Sequence, residues 1–176
     1  MFAVLPSDNL YQLLVFLHIG AAIVGFGSTF VWPFLAARAR KSGDPAVMLQ
    51  ESRISMDGGR TLTEGPIYAV GVTGLVLVIF GATADPSYWS FSDTWVSIAM
   101  TLYIAGLVLS LAFHQPNLKR MLALQEEMAA GPPPQGGPPP QVAELQVRGK
   151  KAAMFGGILH LIFVLVLLDM VFKPWM

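Results

Sequence analysis

Residues 156–175 read GGILHLIFVLVLLDMVFKPW. As a helix of ~20 residues the run crosses a hydrocarbon core ~30 Å thick, yet it carries His160 and Asp169. Three further blocks share its apolar character. They lie at about 10–37, 65–84 and 94–115, and the fourth block spans about 152–172. Each is long enough to span, so the chain reads as all-α: an integral membrane four-helix bundle forming a single domain over residues 1–176.

Composition supports this reading. Hydrophobic residues make up 54% of the chain and charged residues only 12%, against about 25% in soluble domains. A transmembrane barrel would show alternating ten-residue segments, and none are present. The first block lacks a basic leader and a small-residue cleavage site, so it is expected to remain as a span rather than be removed as a signal peptide. A formal net charge of zero gives no reason to expect nucleic acid. The expected partners are the lipid bilayer and either a homo-oligomer or a larger membrane complex. With no cysteine, any metal chemistry falls to His, Met and carboxylates.

Orientation follows from the cations. Arg38, Arg40, Lys41, Arg53 and Arg60 lie in the connection 38–63, and Lys119, Arg120, Arg148, Lys150 and Lys151 in 116–151. Lys173 alone lies elsewhere. Both long connections are therefore expected in the cytoplasm and both termini outside (N-out/C-out), in a bacterial cytoplasmic (inner) membrane. Tyr88, Trp89, Phe91, Trp95 and Trp175 mark the outer interface, and Trp32 and Tyr68 the inner one.

Punctuation refines the connections. Asp44 is expected to cap a short helix opening at Pro45 and ending at Gly58–Gly59, and Thr63 to cap the second span. Asp93 or Ser92 caps the third span, and Pro116 is expected to end it. The short turn between the second and third spans makes them antiparallel neighbours. The stretches NLKRMLALQEEMAA and QVAELQVRGKK favour helix and are expected to extend the spans as cytoplasmic helical extensions. Between them GPPPQGGPPPQ, residues 131–141, is a solvated proline-rich linker.

The polar residues within the spans are the candidates for function. His18, Ala22, Gly25, Thr29 and Trp32 share one helical face, as do Ala153, Gly156, His160, Val164 and Leu167. Both histidines are thereby expected inside the bundle, where intramembrane ionisable groups normally point. By helical rise, His18 lies roughly 12 Å and His160 roughly 19 Å from the outer boundary. They are the pair expected to share a site, whether as metal ligands or as axial ligands to haem. The alternative for His160 is a neutral imidazole bonded to a facing helix. His114 ends the third span near the cytoplasmic side, and Met100 matches the depth of His18. Asp169 precedes Lys173 by four residues, the favourable order for an interfacial ion pair.

FLHIGAAIVGFG in the first span, FHQPNLKRM closing the third and MVFKPW ending the fourth resemble a broad bacterial group of small four-helix membrane proteins. The group includes an uncharacterised family of predicted integral membrane proteins, the copper-resistance D-type proteins and the HemJ-type protoporphyrinogen oxidases. In the HemJ type, the first-span histidine, the histidine closing the third span and a Lys-Pro near the C-terminus are characteristic. These correspond here to His18, His114 and Lys173–Pro174. The resemblance implies binding of haem b or a porphyrin, with His160 an addition to the pattern. It does not extend to the HemJ reaction. The basic, tyrosine-rich exit from the first span is replaced by FVWPFLAARAR, and the His and Lys opening the third are absent from TWVSIAM. The functions in contention are haem b binding through His18 with His160 or His114, for electron transfer or sensing; a non-enzymatic accessory subunit; and a copper-resistance D-like transporter.

Overall fold

A computed structural model describes residues 9–84, 87, 89–131, 137 and 139–173. Tyr88, Pro174, Trp175 and most of the proline-rich linker lie outside these. The described residues are helical throughout their long segments: α1 Asn9–Ser42, α2 Pro45–Gly58, α3 Gly65–Thr83, α4 Thr94–Leu109, α5 Gln115–Ala130 and α6 Pro140–Phe172. Four continuous helices among them are long and apolar enough to cross a membrane: Asn9–Ser42, Pro45–Thr83, Thr94–Ala130 and Pro140–Phe172. The end rich in Arg and Lys is called the basic end, and the end carrying Trp89 and Trp95 the tryptophan end.

The two long connections are helical, which alters several boundaries. α1 runs on to Ser42. Asp44 caps α2 as expected, accepting from the Ala46 N–H at 2.8 Å, with Pro45 in the first turn. The helix does not stop at Gly58–Gly59, however, and Thr63 is not a cap. A π-helical turn over Gly59–Glu64 leads straight into α3, and a second over Ser110–His114 carries α4 through Pro116 into α5. Each π turn sits just before a proline. The N–H of Gly65, next to Pro66, reaches back five residues to the Arg60 carbonyl, and that of Gln115, next to Pro116, to Ser110. A proline ring clashes with the carbonyl four residues back. The wider π turn relieves that clash, so the helix passes a residue that would otherwise end it.

α1 packs most closely on α3, and α4 on α6. The α1·α3 contact depends on small residues. A side chain on Gly25 would press on Pro66 and on Ile67 at 3.1–3.2 Å, which lets the two backbones approach. Between the two pairs the links are side chains. Tyr103 of α4 lies over Gly71 of α3 and donates its hydroxyl to the Ile67 carbonyl at 3.0 Å. Phe26 of α1 stacks on Phe163 of α6 with ring centroids 4.3 Å apart. Near the tryptophan end Val78, Trp95 and Val96 form a buried cluster, with Trp89, Met100 and Met170 against it. Elsewhere the apolar side chains of the spans point outward, Phe16 at 70% and Ile23 at 69% exposure among them. Such a surface suits lipid rather than water. Val164 and Leu167 belong to it as well, so the inward stripe expected on α6 holds at Gly156 and His160 and turns outward beyond them.

At the basic end α5 and α6 are joined by polar contacts. Asn117, 5% exposed, donates to the Arg148 carbonyl at 2.9 Å. Glu144 accepts from Arg148 at 2.7 Å and lies 3.4 Å from Arg120, which also pairs with Glu127 at 2.8 Å. Hydrogen bonds from Arg148 first, and then Arg120, hold the Glu144 carboxyl below the usual carboxylate range. A carboxyl with a folded pKa below its unfolded value (about 4.3 for Glu) contributes stability that is present above the unfolded value and lost as pH falls through the folded one. Acid is therefore expected to loosen the α5–α6 extension while the spans stay intact. Amide exchange followed from neutral pH to pH ~3 should show protection at residues 117–148 falling first, and Glu144→Gln should flatten that pH dependence. Equal acid sensitivity in both proteins would refute the role given to Glu144.

Candidate functional site

The three histidines occupy two places. His18 faces α3. Its Nδ1 lies 3.1 Å from the Val70 carbonyl and 3.1 Å from Thr73 Oγ1. The Thr73 hydroxyl already donates to the Ala69 carbonyl at 2.6 Å, so both partners act as acceptors and Nδ1 must carry the proton. In the neutral ring the lone pair is then on Nε2, which makes no hydrogen bond among the described residues. A side chain on Gly74 would come within 3.0 Å of the imidazole Cε1, so the glycine is what lets the ring lie this close to α3.

His160 has the opposite arrangement. Its Nε2 lies 3.2 Å from the Thr29 carbonyl and 3.0 Å from Thr29 Oγ1, and that hydroxyl donates to the Phe26 carbonyl at 2.6 Å. Both partners again accept, so the proton is on Nε2. The choice of carbonyl follows from the sequence. Thr29 lies four residues before Pro33, which has no N–H to give it. Proline is tolerated inside a membrane helix when a neighbour satisfies the freed carbonyl, and here His160 does so from α6. Phe30 stacks on the imidazole at 4.5 Å. Pro66 repeats the pattern. The Leu62 carbonyl, four residues before it, lies 3.1 Å from Ser28 Oγ of α1, whose hydroxyl is shared with the Gly25 carbonyl at 2.8 Å. Ser28 also meets the Thr63 hydroxyl at 2.6 Å, which in turn accepts from the Trp32 indole at 2.9 Å.

These partners set His18 and His160 at different levels. Thr29 follows His18 by eleven residues on α1, about 16 Å of helical rise toward the basic end. The residue brought next to His160 is His114. His114 Cε1 lies 3.9 Å from the place a side chain on Gly156 would take, one turn before His160 on α6. His114 Nδ1 is buried without a hydrogen-bond partner among the described residues. Met100 lies against the Val78–Trp95–Val96 cluster. Among the described residues no three of His, Cys, Asp and Glu gather as a metal-binding group.

Asp169 departs most from expectation. It is 6% exposed, and among the described residues both its carboxylate oxygens lack a partner and it forms no ion pair with Lys173. The reason is the end of α6. Lys173 takes a left-handed backbone (φ 41, ψ 59), donating its N–H to the Asp169 carbonyl at 2.8 Å. Its ammonium then lies over the Trp89 and Trp95 rings, 5.1 and 4.9 Å from their centroids. Ring quadrupoles attract such a cation, and the expected partner of the carboxylate is drawn away. Only the aromatic residues of the turn hinted at this arrangement, because no spacing rule relates Lys173 to Trp89.

A family described as a predicted integral membrane protein (DUF2269) matches residues 12–174. PRA1 family protein A3 of Arabidopsis thaliana is 32% identical over 101 residues, 56% of this chain and 44% of that protein. The chain thus spans less than half the length of this curated relative. No solved structure matches.

Proposed function

The chain belongs to the DUF2269 family of predicted integral membrane proteins, and we propose that it binds haem b through His18, for electron transfer or small-ligand sensing, in a bacterial cytoplasmic membrane. The observation that carries this reading is the His18 hydrogen bond. A metal-ligating histidine characteristically donates its other ring N–H to a carbonyl, which fixes the tautomer and aims the free nitrogen. The Val70 carbonyl and Thr73 hydroxyl do this at Nδ1 and leave the Nε2 lone pair for iron. His160 shows the converse arrangement, its Nε2 proton on Thr29 and its Nδ1 left over, but that bond answers the carbonyl freed by Pro33, so the architecture accounts for it without a ligand. His114 keeps an unpartnered nitrogen but lies beside His160, away from His18. When bound, haem would supply one-electron chemistry or an iron centre for a small ligand. Val70 and Thr73 would hold the His18 ring, and the apolar span around it would exclude water.

The test is the absorption spectrum of protein gently extracted from haem-supplied cells. A Soret band is expected, and His18→Ala should abolish it while His160→Ala retains it. A colourless wild type, or a band indifferent to His18, would refute the assignment.

The distribution of Arg and Lys supports N-out/C-out topology. In this cysteine-free chain, Ser42→Cys should resist a membrane-impermeant thiol reagent in intact cells and Ser87→Cys should react. The reverse pattern would invert the topology.

A second reading, a non-enzymatic accessory subunit, is favoured by the use of His160 as a donor to the carbonyl that Pro33 frees. That is an architectural role, and it requires no cofactor. Stable co-purification of a colourless protein with another membrane protein would support this reading over the first.

A further inference from the structure

We propose that the tryptophan end of the bundle binds the headgroup of a phospholipid bearing a primary ammonium, with the ammonium on Asp169 and the phosphate on Lys173 and the Trp95 indole. The proposal is independent of haem. Asp169 and Trp95 are each 6% exposed, and among the described residues both Asp169 oxygens and the Trp95 Nε1 lack hydrogen-bond partners. Buried polar groups are nearly always satisfied, so such orphans point to something the chain does not itself supply. Lys173 follows Asp169 by four residues at the end of α6, with its N–H on the Asp169 carbonyl. The Lys173 ammonium lies over Trp89 and Trp95, and Met170 packs on the cluster that contains Trp95. The end of α6 carrying the carboxylate is therefore directed at the tryptophan wall.

Together these groups offer one anionic acceptor, one cationic donor and one neutral N–H. Their complement is a zwitterion whose ammonium can donate and whose anionic oxygens can accept. Water would satisfy the oxygens of Asp169 but leave its charge unmatched, which is costly away from bulk solvent. The surroundings select a lipid over a free zwitterion. Val171 and Phe172 beside the site are 66% and 73% exposed, an acyl-chain surface leading to the headgroup level where a span ends.

The experiment is native mass spectrometry of the full chain with short-chain phosphatidylethanolamine and phosphatidylglycerol supplied equally. The wild type should retain the ethanolamine lipid preferentially. Asp169→Asn, isosteric and free of the unmatched charge, should lose that retention about tenfold, the cost of one charge-assisted hydrogen bond, with the glycerol lipid unaffected. Lys173→Gln should weaken both, since each carries a phosphate. Circular dichroism of each variant checks its fold, and Lys173→Gln alone suffices to test the phosphate contact if Asp169→Asn does not fold. Equal retention of the two lipids by the wild type, or unchanged retention in a folded Asp169→Asn, would overturn the proposal. Displacement of the lipid by soluble phosphoethanolamine at equal concentration would overturn the lipid as the source.

Discussion

Gly71→Leu is expected to destabilise the bundle by on the order of 2–4 kcal/mol, measured by unfolding in mixed micelles of dodecylmaltoside and SDS followed by circular dichroism. A side chain at this position would begin 2.6 Å from Cζ and 2.8 Å from Cε1 of Tyr103, well inside van der Waals contact. The ring would have to move, and its hydroxyl would release the Ile67 carbonyl. That contact joins α3 to α4 at mid-span, apart from the Val78–Trp95–Val96 cluster nearer the tryptophan end, and the two backbones are not among the closest packed. Tyr103→Phe keeps the ring and forfeits only the hydrogen bond, about 0.6–1.7 kcal/mol in membrane bundles. If Gly71→Leu proved no more costly than Tyr103→Phe, steric contact would not be what holds α3 and α4 together.

The second large effect concerns His160, and it depends on Pro33. His160→Ala removes the donor to the Thr29 carbonyl together with the stack on Phe30, and should cost about 1–2 kcal/mol. In a Pro33→Ala background residue 33 regains an N–H. The Thr29 carbonyl then has its ordinary helical partner, and His160→Ala should cost less by about 0.5–1.5 kcal/mol, the coupling read from the double-mutant cycle. The loss of the stack is common to both backgrounds and cancels. An identical cost in each would show that His160 does not serve the carbonyl freed by Pro33. This cycle also bears on function, because a His160 that ligated iron would show its loss in the Soret band whatever residue stood at 33.

Much of this architecture is legible in the sequence. The four spans are fixed by block length and apolar content, since a bilayer admits only helices of that length with every backbone group satisfied. Asp44–Pro45 marked the start of α2, and the stretches around 117–130 and 141–151 declared their helical extensions. Prolines misled the reading of helix ends. Pro66 and Pro116 ordinarily signal a boundary, yet a π turn before each accommodates the ring, and whether that turn forms depends on packing rather than on the identity of the proline.

What the sequence determined by itself is a local inventory: four spans, the asymmetry of cations, the positions of His18, His114, His160 and Asp169, and, through Pro33, which carbonyl would lack its partner. The tertiary structure decided the partners. It gave the Thr29 carbonyl to His160, put His114 rather than His18 beside it, and drew Lys173 from Asp169 onto two tryptophans. Periodicity fixes where a side chain lies around and along its own helix. The register, tilt and choice of neighbour that bring two helices into contact arise from close packing between them, and one-dimensional spacing does not encode these.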